Sequence, residues 1–260
     1  MTMPGAFRVA NWHITASRRM WGTNLLSALA QPLLYLLGLG VGVGTLVDRN
    51  SGSADVLGGI PYVAYVAPGL MVSTAMTLGA FESMWPVLGG LKWQRGYHGI
   101  AATPLEARDI VLGHAVWIAV RSAVAAGLVA VVLTFFADTR SWGLIPAVLM
   151  SVIVGVAFAM PVMATSVDAE WNGQFAAIQR FVIIPLFLFG GAFYPLSQLP
   201  EVVQWLARAF PLWHGVVVAR AFTTGGVRPL AVLGHVAYCA AFIVVGAVIS
   251  TRRLRRKLYP

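Results

Sequence analysis

Charged residues are scarce in this chain: they make up 10% of its 260 residues, whereas hydrophobic residues make up 58%. Soluble globular domains carry roughly 25% charged residues. This composition excludes a soluble globular domain and indicates an all-α protein that crosses a membrane several times. The net charge of +9 does not indicate nucleic-acid binding, because most of the excess lies in short tails and loops.

Cysteine and lysine are almost absent. The single cysteine, Cys239, lies in an apolar run, which excludes a disulfide framework or a cysteine metal site within one chain. The two lysines are Lys92 and Lys257, and neither belongs to a G-x-x-x-x-G-K-[ST] phosphate loop. We therefore expect that the chain does not hydrolyse ATP alone, and that active transport would need an outside energy source.

No enzyme signature is evident. The chain has no H-E-x-x-H motif, and its histidines are scattered at positions 13, 98, 114, 214 and 235. We expect no catalytic residues, no metal site and no cofactor bound by this chain.

Six apolar stretches fit membrane spans, the fifth being short. They are Leu25–Val47, Tyr62–Trp85, Ile110–Phe136, Gly143–Thr165, Phe181–Tyr194 and Leu230–Ser250. An even number of spans places both termini on one side, together with 12 basic residues, while five lie on the other side. The positive-inside rule then predicts a multi-pass protein of the cytoplasmic (inner or plasma) membrane with both termini in the cytoplasm.

Residues 5–21 show an amphipathic pattern. Arg8, Asn11 and Thr15 share one arc with Arg18 and Arg19, whereas Phe7, Ala10, Ile14 and Trp21 share another. The pattern predicts an interfacial helix that lies on the membrane, and a disordered basic arm is the alternative. We expect the first span to act as the insertion signal, because residues 1–24 lack a continuous apolar core.

Glycine and proline interrupt the chain before the last span, over residues 195–228. Pro200 and Glu201 are helix-start signals, Pro211 ends that helix, and Gly225-Gly226 ends a second one that begins at Leu212. Each helix covers only about half of a hydrocarbon core at ~1.5 Å per residue. These signals predict an outward-facing re-entrant helical hairpin, and a surface loop with one amphipathic helix is the alternative.

The longest cytoplasmic connection is predicted at residues 86–109. It reads PVLGGLKWQRGYHGIAATPLEARD, which is too charged to enter lipid and too rich in glycine and aromatic residues for a plain linker. We expect a short docked helix around Leu91–Tyr97 and contact with a partner.

Two runs resemble ABC-2 type export permeases. FESMWPVLGGLKWQRGYHGIAATPLEARDIVLG is similar to their second and third helices, and FLFGGAFYPLSQLPEVVQWLARAFPLWHGVVVAR is similar to the segment before their last helix. The likeness covers nearly the whole chain and is greatest to the branch with rhizobial nodulation lipo-oligosaccharide exporters and daunorubicin-resistance permeases.

The resemblance implies a single six-helix transmembrane domain over residues 1–260. It implies pairing with a second copy or a sister permease, and a separate subunit that binds ATP and Mg²⁺. It also implies that residues 91–105 are the loop that seats on this ATPase, with help from the N-terminal helix. The candidate coupling residues are Lys92, Trp93, Arg95, Tyr97 and His98. Three residues around Tyr97 depart from the family pattern: Gly96, His98 and Gly99. This departure affects the extent of a docked helix.

Two ionisable residues fall inside predicted spans. Glu82 lies near the end of the second span and Arg121 lies inside the third, so their backbones differ in depth by roughly 10 Å. A charge at mid-depth usually faces the bundle interior with a partner. We hypothesise a Glu82–Arg121 pair, with independent roles near lipid phosphates as the alternative.

Aromatic residues cluster before and within the predicted hairpin. They are Phe187, Phe189, Phe193, Tyr194, Trp205, Phe210 and Trp213. One interpretation is a translocation path closed by a gate at the outer mouth. The other is that these rings only anchor the hairpin at the interface, where aromatic side chains prefer to lie.

The favoured function is the permease subunit of an ATP-driven exporter for an amphipathic substrate: a glycolipid, a lipo-oligosaccharide or a hydrophobic drug. Its partners would be the ATPase subunit, a second permease and membrane lipids. An ion-coupled secondary transporter or channel is the alternative, although it would ordinarily need more intramembrane carboxylates. An integral-membrane lipid enzyme lacks a recognisable catalytic cluster.

Overall fold

The computed structural model describes residues 4–18, 22, 30–49, 57–170 and 173–259. Over these ranges the chain is helical with short connections. We number the helices α1 (Gly5–Ser17), α2 (Ala30–Arg49), α3 (Tyr62–Trp93), α4 (Gly96–Ala101), α5 (Ala107–Leu133), α6 (Leu144–Asp168), α7 (Gly173–Phe189), α8 (Glu201–Arg208), α9 (Pro211–Thr224) and α10 (Pro229–Leu258). Part of two predictions lies outside the described residues: positions 25–29 of the first span and 19–21 of the interfacial helix.

Five of these helices are long and apolar enough to cross a membrane: α2, α3, α5, α6 and α10. Helix α7 has 17 residues, or ~26 Å, which approaches the ~30 Å of a hydrocarbon core. The prediction of an all-α multi-pass membrane protein is thereby confirmed. The predicted short fifth span corresponds to α7, but α7 begins earlier, at Gly173, and ends at Phe189 because Gly190 and Gly191 follow.

The long helices run alternately up and down, so the bundle has two ends. The α1 end holds α1, α4, the start of α5 and the last turns of α6 and α10. There Arg253 of α10 bonds Asp168 at 2.7 Å, and Tyr259 donates to the Leu105 carbonyl at 2.5 Å. The opposite end, which we call the hairpin end, holds the start of α3, where the amide of Tyr62 donates to Asp48 at 2.9 Å.

The predicted loop at residues 86–109 is wrong in its first part, because α3 continues as a helix to Trp93. Pro86 removes one hydrogen bond but does not end the helix, which widens into a π-helical turn at Gly89–Trp93. The chain then turns at Arg95, a non-glycine residue with φ of 51°. The short docked helix exists, but it lies at Gly96–Ala101 and not at Leu91–Tyr97.

Helices α3 and α6 form the centre of the bundle, where small residues allow their backbones to meet. A Cβ atom at Gly79 would overlap the carbonyl oxygen of Gly155, and one at Gly155 would lie 3.1 Å from the Ala75 carbonyl. Met71 and Met76 of α3 and Met160 of α6 are fully buried. Close backbone approach at small residues is a main source of helix association in lipid, where apolar burial gives little driving force.

Helix α1 lies against the first turns of α5. Val9, Ala10 and His13 form its buried face, and a Cβ at Gly113 would lie 2.7 Å from the Ala6 carbonyl oxygen. The face docked on α5 is centred on Val9, so Phe7 of the predicted apolar arc does not pack on α5 and is 54% exposed.

Helices α8 and α9 form a pair bent by 85°. Their junction is deep, because Phe210 stacks on Phe158 with ring centroids 6.5 Å apart. Phe158 lies 14 residues after the start of α6 at Leu144, or ~21 Å from the hairpin end. Helix α9 then returns to that end, where a Cβ at Gly143 would overlap the backbone of Phe222. A deep junction followed by a return to the hairpin end is the geometry that a re-entrant hairpin requires.

Candidate functional site

The first candidate surface lies at the α1 end, where α3 passes into α4. Lys92, Trp93, Arg95 and His98 are all exposed, and Trp93 shows 61% of its surface. Lys92 Nζ donates to the Glu170 carbonyl at 2.6 Å. Other exposed cations at this end are Arg8, Arg18, Arg108, Arg252, Arg255, Arg256 and Lys257. The result is a basic surface with one large exposed aromatic ring.

Tyr97 does not belong to this surface. It is 1% exposed, and its ring fills the space over Gly90, where a Cβ would lie 3.0 Å from the ring. Direct contact of Tyr97 with a partner, as the sequence suggested, is therefore excluded by its burial. Burial, and to a lesser extent the Glu82 carboxylate, raise the pKa of Tyr97, so the hydroxyl stays protonated.

Tyr97 belongs to a group of rings that we call the ring cluster: Trp12, His13, Tyr97, His114 and Trp117. All are buried except Trp12, which is 36% exposed. Its centroid separations include 4.7 Å for Trp12–His13, 5.4 Å for His13–His114 and 5.9 Å for the stacked His13–Trp117 pair. The cluster joins α1, α4 and α5. Ser83 of α3 bonds His114 Nε2 at 3.0 Å.

Polar atoms in the ring cluster are incompletely satisfied. His13 Nε2, His114 Nδ1 and the Tyr97 hydroxyl are buried and have no hydrogen-bond partner among the described residues. Each such group costs about 1–3 kcal/mol relative to a bonded one. An all-apolar cluster would avoid this cost, so packing alone does not account for the choice of side chains.

The second candidate site is an ion pair at mid-depth. Arg121 Nη2 lies 2.9 Å from Glu82 Oε1, and each side chain is 17% exposed. The indole of Trp117 donates from Nε1 to Glu82 Oε2 at 3.3 Å, and the Arg121 guanidinium lies 5.6 Å from the Trp117 ring. The structure therefore places the two charges in contact, as the pairing hypothesis required. The Arg121 side chain spans the difference in depth between the two backbones.

This ion pair lines an open cleft of about 380 Å³ between α2, α3, α5 and α7. Its wall combines charged, amide, hydroxyl, aromatic and aliphatic side chains. They are Gln31, Pro32, Tyr35, Leu70, Thr74, Thr77, Leu78, Phe81, Glu82, Arg121, Gln179 and Phe187. Polar and apolar groups on one wall suit a molecule that has both characters.

The seven aromatic candidates do not form one continuous path. Phe187 and Phe193 are in contact, with centroids 5.3 Å apart, and both lie near Tyr35 at the cleft. Phe210 instead stacks on α6, and Trp213 lies 5.4 Å from His235 of α10. Phe189, Tyr194 and Trp205 complete the set; Phe189 and Trp205 are 41% and 64% exposed, and Tyr194 is half-buried. The tertiary structure therefore divides them between the cleft, the hairpin's contacts and the bundle exterior.

From the sequence, Arg220 counts among the five basic residues on the side opposite the termini, so it is not predicted as an intramembrane charge. It lies in α9, and its Nε donates to the Tyr65 carbonyl at 3.1 Å. Its Nη2 donates to the carbonyls of Gly191 and Ala192 at 2.9 and 3.3 Å, and its guanidinium lies 3.6 Å from the Tyr65 ring centroid. One side chain thus joins α9 to α3 and to the turn after α7.

Comparison with known proteins identifies the family. The family model described as "ABC-2 type transporter" matches residues 8–222. The chain belongs to this family.

Relatives of this ABC-2 type transporter chain share most of its length. Nodulation protein J of Rhizobium leguminosarum bv. trifolii is 35% identical over 236 residues, which cover 90% of this chain and 87% of that protein. Nodulation protein J of Rhizobium meliloti is 33% identical over 238 residues, 91% of this chain and 87% of that protein. The inner membrane transport permease YadH of Escherichia coli is 24% identical over 194 residues, 75% of this chain and 73% of that protein.

In this ABC-2 type transporter chain, attachment of α1 is expected to depend on pH. Burial lowers the pKa of His13 to about 4 from an ordinary 6.5. A proton binds more readily when α1 is released, so docking is strongest above pH 6.5 and weakens as the pH falls toward 4. At pH 5 the loss is about 2 kcal/mol, or roughly 30-fold in the released population.

The measurement is the mobility of a spin label at Asn11→Cys, an exposed position of α1, in a Cys239→Ala background. The matched control is His13→Phe, which keeps a ring in place but cannot take up a proton. We expect the pH dependence to disappear in this control. A label whose mobility is the same at pH 7 and pH 5 would contradict the prediction.

Proposed function

We propose that this chain is the permease subunit of an ATP-driven exporter. The observation that carries the proposal is that one ABC-2 type bundle has both an exposed basic and aromatic surface at the α1 end and a cleft lined by polar and apolar side chains. The absence of a phosphate loop from the sequence means that ATP and Mg²⁺ would bind a separate subunit. That subunit would seat on Lys92, Trp93, Arg95 and His98, while the buried Tyr97 ring holds α4 in place from the interior of the bundle.

The orientation proposed is with the α1 end in the cytoplasm. Helices α3, α5, α6 and α10 bring both described ends of the chain to that side, together with the cationic residues at positions 252–257. The hairpin end has fewer, among them Arg49, Arg140 and Arg228. The positive-inside rule supports this orientation, in which the α8–α9 hairpin enters the outer leaflet.

The proposed substrate is amphipathic, such as a glycolipid, a lipo-oligosaccharide or a hydrophobic drug. The cleft supports this because Gln31, Gln179 and the ion pair face it beside Phe81 and Phe187. The hairpin, with Phe210 at mid-depth, would close the outer mouth between cycles. A second permease copy or a sister permease would complete the path.

Ion-coupled transport is less well supported. Glu82 is the one acidic residue within the six predicted spans, and both of its oxygens are bonded, to Arg121 and Trp117. A carboxylate held in this way is a poor carrier of protons or cations, because its charge is already compensated.

The test is retention of the ATP-binding subunit during purification of the complex. Replacing both Trp93 and Arg95 with alanine is expected to reduce retention by roughly 30-fold, since truncating an interfacial anchor costs about 2 kcal/mol or more. Membrane insertion should not change, because both side chains are exposed.

The matched control is the double variant Trp142→Ala and Arg140→Ala. These residues are an exposed tryptophan and an exposed arginine at the hairpin end, and Trp142 is 87% exposed. Retention should match the unaltered protein in this control. Equal retention in both double variants would remove the α3–α4 turn from the interface.

A further inference from the structure

Trp117 occupies a position between two sites that are otherwise separate. One face of its indole stacks on His13 of α1, with centroids 5.9 Å apart and planes 12° from parallel. Its Nε1 donates to Glu82 Oε2 at 3.3 Å. The side chain is 2% exposed, so it has no free space in which to absorb a shift from either side.

The same indole is connected to α4. His13, which stacks on Trp117, also lies 6.4 Å from the Tyr97 ring, and Trp12 lies 6.1 Å from that ring. Helices α1 and α4 are thus packed on one another, and α1 packs on Trp117 through His13. A displacement of α1 and α4 relative to α5 must move the indole or break these contacts.

The other end of the connection is in the cleft. Glu82 accepts a hydrogen bond from Trp117 on one oxygen and pairs with Arg121 through the other, at 2.9 Å. If the indole moves, the carboxylate must rotate with it or lose a bond. Either change alters the geometry of the ion pair that lines the cleft.

We propose that Trp117 is a positioning residue that couples the α1 end of the bundle to the Glu82–Arg121 pair in the cleft. This inference rests on the proposed function, since it requires that an ATP-binding subunit acts on α1 and α4. The ring cluster is then the element that responds to the subunit, and the ion pair is the element that changes the cleft. Tryptophan suits this position because its ring is broad enough to stack on His13 while its N–H reaches a carboxylate.

The experiment measures access to the cleft in the complete complex with its ATP-binding subunit. A single reporter thiol is placed at Thr77→Cys, on the cleft wall, in a Cys239→Ala background. Its rate of reaction with a water-soluble methanethiosulfonate reagent is compared without nucleotide and with a non-hydrolysable ATP analogue. We expect the analogue to change the rate at least about fivefold, the lower end of ordinary allosteric coupling.

Trp117→Phe keeps the stacking face and removes the bond to Glu82. We expect the nucleotide effect to fall below about twofold in this variant, while the ATP-binding subunit is retained as before. The matched control is Trp85→Phe: Trp85 packs on Phe175 at 5.4 Å, and no hydrogen bond joins its indole to Glu82 among the described residues. Its nucleotide effect should equal that of the parent. If Trp117→Phe does not fold, His13→Leu, which removes the stacking partner, carries the same expectation.

A double-mutant cycle separates positioning from simple packing. Glu82→Met, which removes the oxygen that accepts the Trp117 bond, should alone also abolish the nucleotide effect, and adding Trp117→Phe should cause no further change, because both act through one bond. Independent, multiplying effects would overturn the inference, as would a normal nucleotide effect in Trp117→Phe. Failure of the parent complex to retain its ATP-binding subunit or to respond to the analogue would overturn the proposed function, and this inference with it.

Discussion

Replacing Gly79 with alanine is expected to abolish accumulation of the folded protein. A Cβ at this position would overlap the carbonyl oxygen of Gly155 and lie 2.9 Å from its carbonyl carbon. Those atoms belong to the backbone of α6, so no side-chain rotation relieves the overlap, and α3 and α6 must separate. Overpacking typically costs 1–3 kcal/mol, and we expect about 3 kcal/mol or more here because the obstruction is backbone.

The matched control is Gly127→Ala on α5. Gly127 is also in the interior of a long apolar helix, but a Cβ there meets nothing within 4 Å in the described structure. Both substitutions gain the same ~1 kcal/mol of helix propensity. The difference between the two variants therefore isolates the α3–α6 contact. The measurement is the monodisperse fraction in size-exclusion chromatography after detergent extraction, and a normal yield of the Gly79 variant would show that the two helices are not in this contact.

Replacing Arg220 with leucine is expected to release the α8–α9 hairpin from the bundle. The guanidinium holds the carbonyls of Tyr65, Gly191 and Ala192. Loss of these charge-assisted bonds leaves buried carbonyls without their donor, at about 1–3 kcal/mol each. Removing the buried charge offsets part of this cost, so we expect a net weakening of about 2–4 kcal/mol in hairpin docking.

The single cysteine provides the measurement. Cys239 of α10 is fully buried, and its Sγ lies 3.7 Å from the carbonyl of Pro211, at the start of α9. Release of the hairpin should raise its rate of reaction with a membrane-permeant maleimide roughly 30- to 1000-fold, the population change equivalent to that free energy. The matched control is Arg228→Leu, an exposed arginine just after the hairpin, which should leave the rate unchanged.

The same variant distinguishes a gate from an anchor. If the hairpin closes the outer mouth, Arg220→Leu should alter ATP hydrolysis by the complex at unchanged protein level, because the lost contacts belong to one state more than the other. Faster labelling of Cys239 with normal hydrolysis per folded molecule would indicate an anchor. Labelling at the parental rate would show that other contacts hold α9.

The amino-acid sequence by itself determined the class of protein, the places of its apolar helices and the break before the last helix. Runs of apolar residues bounded by charges and by glycine-proline signals act locally, because every backbone polar group in lipid must be satisfied within its own segment. For the same reason the six predicted spans overlap α2, α3, α5, α6, α7 and α10, and the two short helices begin within one residue of prediction and end within two.

Only the tertiary structure decided how these segments are used. Pro86 and two glycines indicated a loop, but packing keeps α3 helical to Trp93, since a proline in a helix held by neighbours costs one hydrogen bond without ending it. The aromatic candidates are divided among three environments, because Phe187 and Phe189 lie on different faces of α7 and the 85° bend between α8 and α9 separates Trp205 from Trp213. Tyr97 follows three exposed coupling candidates in the sequence, but it is buried because Gly90, seven residues earlier and across the turn at Arg95, leaves room for its ring. The contacts of Trp117 with His13 and Glu82 join residues far apart in the chain, and no local pattern encodes such contacts: they depend on how three helices pack.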